Sequence, residues 1–161
     1  MSRIPISVEG YKKLEKELEI LKKERPEVIL AIKEAREEGD LKENAGYDAA
    51  RERQGMLEAR ICFIESRMAQ FNVIDLKDMG GDRVAFGATV ELEDLDSGEM
   101  RRFTLLGPDE SEPSRGRISV LSPVGRALLG KVSGDEVMVE VPKGRMEYAI
   151  VSVQYHGVMA E

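Results

Sequence analysis

The chain has 161 residues, enough for one ordinary domain or two small ones. Its net charge of −7 argues against a strong, non-specific grip on duplex DNA, which needs a basic face. No apolar run approaches the ~18 residues needed to span a bilayer, and the N-terminus lacks the apolar stretch of a signal peptide. A single Cys excludes an internal disulfide. These features predict a cytoplasmic protein without a membrane partner.

The composition changes near residue 76, and this change predicts two domains. Residues 1–75 are rich in Glu, Lys, Arg, Ala and Leu and contain only four of the 15 Gly, as expected for helices. Residues 76–161 contain the other eleven Gly, four of the six Pro and most of the Val and Thr, as expected for strands and turns. We therefore predict a helical domain over residues 1–75 and a mostly antiparallel β domain over residues 76–161, which is an α+β fold.

The helical half carries two apolar seams with 3,4 spacing, the repeat of a two-helix coiled coil. The first seam comprises Tyr11, Leu14, Leu18, Leu21, Arg25, Val28, Ile32 and Ala35. The second comprises Tyr47, Ala50, Gln54, Leu57, Ile61, Ile64, Met68 and Phe71. The seams match when the chain folds back about residue 41, which predicts an antiparallel hairpin whose arm is about 36 Å long. Pro26 is expected to kink the first helix without ending it, and Arg25 and Gln54 are polar seam residues of the kind that fixes register.

The turn between the two seams is acidic, with the sequence Glu37-Glu38-Gly39-Asp40-Leu41-Lys42-Glu43-Asn44. Asp40 and Glu43 allow two compatible interpretations. In the first they form a capping box, in which Asp40 begins the second helix and Glu43 reaches back to it. In the second interpretation, Asp40 and Glu43 are two carboxylates at the tip of the helical hairpin, where they complete a Mg²⁺ site that another molecule supplies. The spacing alone favours the capping box.

Four basic residues lie within about three helical turns of this tip: Arg36, Lys42, Arg51 and Arg53. Their charges are suited to holding RNA phosphates beside the tip acids. A solvated flank of a coiled coil is the commoner explanation of such residues, because Glu side chains are interspersed with them.

The second half is predicted to contain strands and one short helix. Three segments alternate between apolar and polar residues: 88–93, 137–141 and 146–155. Ser122 is the expected N-cap of the helix, Pro123 its first residue and Gly130 its terminator.

The tip sequence from Glu34 to Gly55 resembles the signature of the GreA/GreB family of transcript cleavage factors. The resemblance extends over nearly the whole chain and is closer to the GreA members than to the GreB members. It includes Ile4-Pro5, Arg25-Pro26, Val73-Ile74-Asp75, Phe86-Gly87-Ala88-Thr89-Val90, Ser122-Pro123, Ala127-Leu128-Leu129-Gly130-Lys131 and Gly134-Asp135-Glu136-Val137.

The resemblance implies a partner, a mechanism and the fold of the C-terminal domain. The coiled-coil hairpin is expected to enter the secondary channel of bacterial RNA polymerase, while an FKBP-like C-terminal domain docks at the channel rim. Asp40 and Glu43 align with acids that help hold a Mg²⁺ ion in the polymerase's own active site, where the 3′ end of the backtracked nascent RNA is cut. The chain is then a monomeric factor with no cofactor of its own, and not a complete enzyme.

Further expectations concern docking and the tip. We expect the docking surface around Ser122, Pro123, Asp109 and Glu110. Gly46 departs from the family pattern, in which Glu is usual at this position, and this puts in doubt any role for a third acid.

Three alternative functions remain at this stage. One is a secondary-channel regulator on the same scaffold that does not cleave, although such proteins generally have altered tip acids. Another is an FKBP-like isomerase or chaperone, which needs an aromatic-lined pocket, whereas residues 76–161 offer only Phe86, Phe103, Tyr148 and Tyr155. The last is a plain coiled-coil tether, which does not need the tip motif.

Overall fold

The structure, a computed structural model, describes residues 3–38 and 44–156. Two compact units are present: residues 11–70 form a helical unit, and residues 3–10 together with residues 71–156 form a β unit. The predicted α+β fold is confirmed, because one unit is a helical hairpin and the other is a mostly antiparallel sheet with one short α-helix. None of the described helices is long and apolar enough to cross a membrane.

Two long helices, α1 (Val8–Glu37) and α2 (Ala45–Met68), form the hairpin. Helix α1 is unbroken, which confirms that Pro26 does not end it. Helix α2 ends at its C-cap, Ala69, and the chain then enters a strand that begins at Phe71. The predicted second seam is therefore wrong at Phe71, its last position, because the chain has already left the helix there.

The apolar seam residues of α1 and α2 pack against one another, as predicted. The buried members of this cluster are Val28, Ile32, Ala50, Leu57 and Ile61. Leu18, Leu21, Ala31 and Tyr47 are partly buried against them, and of all these residues only Ala31 lies outside the predicted seams. Burial of one Leu or Ile side chain contributes about 1.5–3 kcal/mol, so this cluster is the main source of hairpin stability.

Two bidentate ion pairs join the helices beside this cluster. Arg25 donates from Nε and Nη2 to the two carboxylate oxygens of Glu58, at 2.7 and 2.8 Å. Arg60 makes the same contact with Glu17, at 2.6 and 3.0 Å. Because each guanidinium matches its carboxylate with two parallel bonds, the pairs specify one register of the helices. Arg25 was predicted to fix the register of the two helices, and its ion pair with Glu58 of α2 explains how it does so.

A short parallel pair of strands, β1 (Ile4–Ser7) and β2 (Phe71–Ile74), belongs to the β unit. Sequence analysis did not predict these strands, because four residues are too few for a periodic signal. Their pairing draws the first residues of the chain into the β unit. For this reason the structural division falls at residues 10 and 70, which differs from the single boundary predicted at residue 76.

The main sheet of the β unit has five strands in the order β5-β4-β3-β7-β6. These strands are β3 (Ala88–Asp94), β4 (Met100–Leu106), β5 (Arg117–Ser119), β6 (Glu136–Val141) and β7 (Gly144–Tyr155). Neighbouring strands are antiparallel except β4 and β5, which are parallel. The three predicted strands are confirmed as β3, β6 and β7. The core includes Val90, Leu92, Leu105, Leu106, Val137, Val139, Tyr148 and Ile150.

The predicted short helix is confirmed as α3 (Pro123–Leu128), and its Leu128 packs in the core of the β unit. Ser122 is the N-cap and Pro123 the first residue, as expected. Gly130 follows the helix with a φ of 81°, a conformation that residues with a Cβ rarely adopt.

The carboxylate of Glu110 connects the start of α1 to the loop after β4. Its Oε1 accepts hydrogen bonds from the backbone N–H groups of Ser7 and Gly107, at 2.9 and 3.0 Å. Its Oε2 accepts from the Ser7 hydroxyl at 2.5 Å, and Ser7 Oγ accepts from the Gly10 N–H at 3.0 Å. A Cβ at Gly10 would collide with Glu110, and one at Gly107 with the carbonyl oxygen of Pro5. Sequence analysis missed this arrangement.

Acid is expected to weaken the hairpin through Glu17 and Glu58. Hydrogen bonds from Arg60 and Arg25, respectively, hold the pKa of these carboxyls below the ordinary value of 4.5. A carboxyl with a lowered pKa stabilises the fold above its unfolded pKa, and this contribution is lost as the pH falls through the folded pKa. We expect the double variant Glu17→Gln/Glu58→Gln to melt below the wild type at neutral pH, and the difference to shrink below pH 4.5.

Thermal melts followed by circular dichroism, from neutral pH to about pH 3, measure this difference. Glu52→Gln on α2 is the control, because no hydrogen bond or ion pair of this exposed side chain joins the helices in the way that those of Glu17 and Glu58 do. A difference between the double variant and the wild type that stays constant through the acid range would contradict the role given to the two ion pairs.

Substitution of Glu110 is expected to destabilise the protein. Glu110→Ala leaves the buried N–H groups of Ser7 and Gly107 without their acceptor, at a cost of about 2–3 kcal/mol in the free energy of unfolding. Glu136→Ala, at an exposed position on β6, is expected to change this free energy by no more than about 0.5 kcal/mol. Urea unfolding of the two variants provides the comparison, and equal effects would show that the Glu110 bonds do not stabilise the fold.

Candidate functional site

The candidate site is the tip of the hairpin, where α1 gives way to α2. Asp40, Lys42 and Glu43 belong to the segment 39–43 and lie outside the described residues. The assignment of Asp40 and Glu43 as a Mg²⁺-holding pair therefore stays a prediction. The residues on either side of this segment are described, and they show how the two ends of the tip are held.

Helix α2 is capped by Asn44, whose Oδ1 accepts from the Tyr47 backbone N–H at 2.9 Å. The prediction that Asp40 caps this helix is therefore wrong: Asn44 occupies the N-cap position, and the helix starts at Ala45. Asn and Asp are about equally good N-caps, and the prediction named only Asp40.

The Asn44 side chain also reaches the end of α1. Its Nδ2 donates to the carbonyl oxygen of Ala35 at 2.6 Å. Nearby, the Arg36 guanidinium lies 5.8 Å from the centre of the Tyr47 ring, within the range of a cation–π interaction. Both contacts join the last turn of α1 to the first turn of α2, immediately behind the tip segment.

The predicted RNA-binding residues separate onto two sides of the seam. Arg53 precedes seam residue Gln54 and pairs with Glu24 at 3.9 Å. Arg36 and Arg51 each follow a seam residue, as do Lys22 and Glu65, which form an ion pair at 3.3 Å. In an antiparallel pair, residues that follow the seam on the two helices lie on the same side.

This periodicity places Arg36 and Arg51 together near the tip and assigns Arg53 to the opposite side. Both Arg36 and Arg51 are exposed. The basic charge available beside the tip among the described residues is therefore concentrated on one lateral side of the hairpin.

Gly46 is the second residue of α2. Among the residues that the structure describes, a Cβ at this position would meet only Asn44 Oδ1, at 3.3 Å. The position therefore accommodates a side chain after a small shift of Asn44. The structure gives no steric reason for Gly in place of the Glu that is usual in the resembling family.

The predicted docking residues lie in the β unit and differ in how much they expose. Ser122 Oγ donates to the Ser119 carbonyl at 2.6 Å and accepts from the Gly125 N–H at 3.1 Å. The Glu110 carboxylate accepts a hydrogen bond from the Ser7 N–H, just before α1, and Asp109 is half-buried. Pro123 is exposed, so it is the predicted docking residue most available to a partner. Sequence analysis did not single out its exposed apolar neighbours, Leu121 and Leu129.

Two family models cover almost all of the chain. The model of the N-terminal part of transcription elongation factors, GreA_GreB_N, matches residues 4–73. The model described as transcription elongation factor, GreA/GreB, C-term matches residues 79–155. Residues 74–78, between the two matches, belong to neither.

Relatives with high identity extend over the full chain. The chain is 69% identical over 160 residues to the transcription elongation factor GreA of Solidesulfovibrio magneticus, which covers 99% of this chain and 98% of the relative. It is 72% identical over 157 residues to that of Nitratidesulfovibrio vulgaris, with 98% of both covered.

Solved structures with lower identity also match. The GreA/GreB transcription elongation factor of Nitrosomonas europaea is 28% identical and covers 95% of this chain and 100% of its own, with a TM-score of 0.42. The GreA factor homolog 1 protein of Thermus thermophilus is 29% identical, with 94% and 99% covered and a TM-score of 0.44. At such TM-scores the superposition adds nothing to the assignment, which depends on the family models and the relatives. On those grounds, the chain belongs to the GreA/GreB family of transcription elongation factors.

Proposed function

We propose that this elongation factor rescues backtracked RNA polymerase by stimulating the polymerase's own cleavage of the nascent RNA. The hairpin enters the secondary channel, and its tip brings Asp40 and Glu43 to the polymerase active site. Cleavage removes the displaced 3′ end and leaves a new one from which elongation resumes. The observation that carries the proposal is a hairpin whose ends are joined directly behind a segment containing both acids.

The factor contributes ligands to a site that it does not complete. Among the residues that the structure describes, no group of three or more His, Cys, Asp or Glu side chains is placed to hold a metal ion. Asp40 and Glu43 are two hard oxygen donors, which suit Mg²⁺ but leave most of its octahedral shell to other ligands. In a two-metal hydrolysis of RNA, one Mg²⁺ would supply activation of the attacking water and the other would supply stabilisation of the leaving oxygen. The role of the two acids is to hold one of these ions in place.

The side of the hairpin that carries Arg36 and Arg51 is suited to the RNA. Guanidinium groups bind phosphates through two parallel hydrogen bonds, and contacts of this kind position a strand without reading its sequence. Arg53 is paired with Glu24 on the other side and is a weaker candidate for this role.

The β unit is the proposed docking element. Pro123, Leu121 and Leu129 give the region around α3 an exposed apolar surface of the kind that contacts a protein partner. The partner in this proposal is the rim of the polymerase channel.

The aromatic residues do not support an isomerase activity. Phe86 and Tyr148 are buried in the β-unit core, and Phe103 and Tyr155 pack against it. Side chains placed in this way do not line an open apolar pocket of the kind that binds peptides.

The direct test adds the protein to stalled, backtracked elongation complexes and follows the length of radiolabelled RNA. The proposal expects shortening from the 3′ end, followed by renewed elongation when nucleotides are supplied. A protein that binds these complexes and leaves the RNA intact would overturn the proposal in favour of a non-cleaving regulator.

The sharpest variant is Asp40→Asn, because it removes one charge with almost no change in side-chain size. Since Asn44 caps α2, this substitution is not expected to disturb the start of that helix. A neutral amide is a poor ligand for Mg²⁺, so cleavage stimulation should fall by at least about tenfold while polymerase binding persists. Extra Mg²⁺ should restore part of the activity by mass action.

Glu37→Gln, in the last turn of α1, is the matched control for the loss of one negative charge near the tip. It is expected to cleave as the wild type does. Wild-type cleavage by Asp40→Asn would show that Asp40 does not hold the metal ion.

A further inference from the structure

One side chain, Asn44, bonds to both ends of the hairpin tip. Its Oδ1 accepts from the Tyr47 N–H at 2.9 Å in the first turn of α2. Its Nδ2 donates to the Ala35 carbonyl at 2.6 Å near the end of α1. Five residues, 39–43, separate the described end after α1 from Asn44, and they include both predicted tip acids.

The two bonds reach polar backbone groups at the ends of the two helices. Asn44 is the acceptor for the Tyr47 N–H, and it is a second donor to the Ala35 carbonyl, which also accepts from the Glu38 N–H at 3.3 Å. The last carbonyl groups of a helix have no N–H partner within it, and the first N–H groups have no carbonyl. An amide side chain carries a donor and an acceptor on one rigid plane, so Asn44 serves one group of each kind. The two helix ends are thereby set at the distance that one amide spans.

The surroundings of this bridge are closely packed. Ala35 and Ala50 are buried seam residues, and Ile32 is buried one turn further from the tip. The Arg36 guanidinium, over the Tyr47 ring, adds a second link between the same two turns. The small side chains let the helices approach closely enough for an Asn to reach across.

We infer that Asn44 is a positioning residue for the tip acids. By joining the last turn of α1 to the first turn of α2, it sets the two points between which the chain carrying Asp40 and Glu43 runs. This inference rests on the proposed function of those acids, and the role that it gives to Asn44 is exerted through them. A misplacement of reacting groups by about 1 Å is enough to slow a reaction markedly.

Two variants separate the bridge from the cap. Asn44→Asp and Asn44→Ser both keep a good N-cap for α2, and both lack the amide donor to the Ala35 carbonyl. Asn44→Asp adds a negative charge and Asn44→Ser does not. An equal effect of the two variants therefore reports the lost bridge and not the changed charge. Asn72→Asp and Asn72→Ser, on the exposed face of β2, are the matched controls.

The readout is the rate of RNA cleavage in backtracked complexes over a range of factor concentrations. The inference predicts that the maximal rate falls about tenfold in both Asn44 variants, while the half-saturating concentration stays within about twofold. Thermal melts should remain close to those of the wild type. An unchanged maximal rate in either variant would overturn the inference.

A second measurement keeps this result distinct from a failure of the proposed function. In NMR spectra of the wild-type protein, the Asn44 side-chain amide protons should exchange with solvent more slowly than those of Asn72. If the wild type cleaves RNA and the Asn44 variants match it, only the positioning role is wrong. If the wild type does not stimulate cleavage, the proposed function is wrong, and the positioning role, which depends on that function, is wrong too. Slow exchange at Asn44 would in that case still show that the hydrogen-bonded bridge forms. Rapid exchange at Asn44 would show that the bridge does not form.

Discussion

The pairing of α1 with α2 in one register is the constraint on which the candidate site depends. Apolar seam residues supply most of the stability, but a seam of similar side chains tolerates a slip by one heptad. The bidentate pairs Arg25–Glu58 and Arg60–Glu17 remove this freedom, because a slip separates both guanidinium groups from their carboxylates. The same register brings the Ala35 carbonyl within hydrogen-bonding reach of Asn44, so the bridge behind the tip is a consequence of contacts along the whole arm.

The register also gives the arm two different lateral sides. On one, Glu24 and Glu17 neutralise Arg53 and Arg60. On the other, Arg36 and Arg51 add basic charge close to the tip, although the chain as a whole has a net charge of −7. A net negative charge disfavours general binding to nucleic acid, so the RNA contact proposed for these two residues is a local one.

The seams, the strands β3, β6 and β7 and the capped helix α3 could be predicted because each has a periodic pattern or a local capping signal. Other features could not, since they depend on contacts that the sequence does not display. Glu110 bonds to Ser7 over a separation of 103 residues, and its role in holding α1 has no local signature. The role of Asn44 as the cap of α2 was equally hidden, because Asn and Asp cap about equally well and the sequence does not show at which of them the helix begins. The basic residues were found as a group, but their division between two sides required the observed ion pairs.

The central claim is that the hairpin brings its tip acids to the polymerase active site, and a change of arm length tests it most directly. Deletion of residues 15–21 together with residues 61–67 removes one heptad from each helix, keeps both seams in phase and retains the Arg25–Glu58 pair. The arm becomes shorter by about 10 Å. The measurement is RNA cleavage in backtracked complexes at factor concentrations that saturate binding. The account predicts that the shortened protein binds the polymerase and fails to stimulate cleavage, whereas cleavage at the wild-type rate would contradict it.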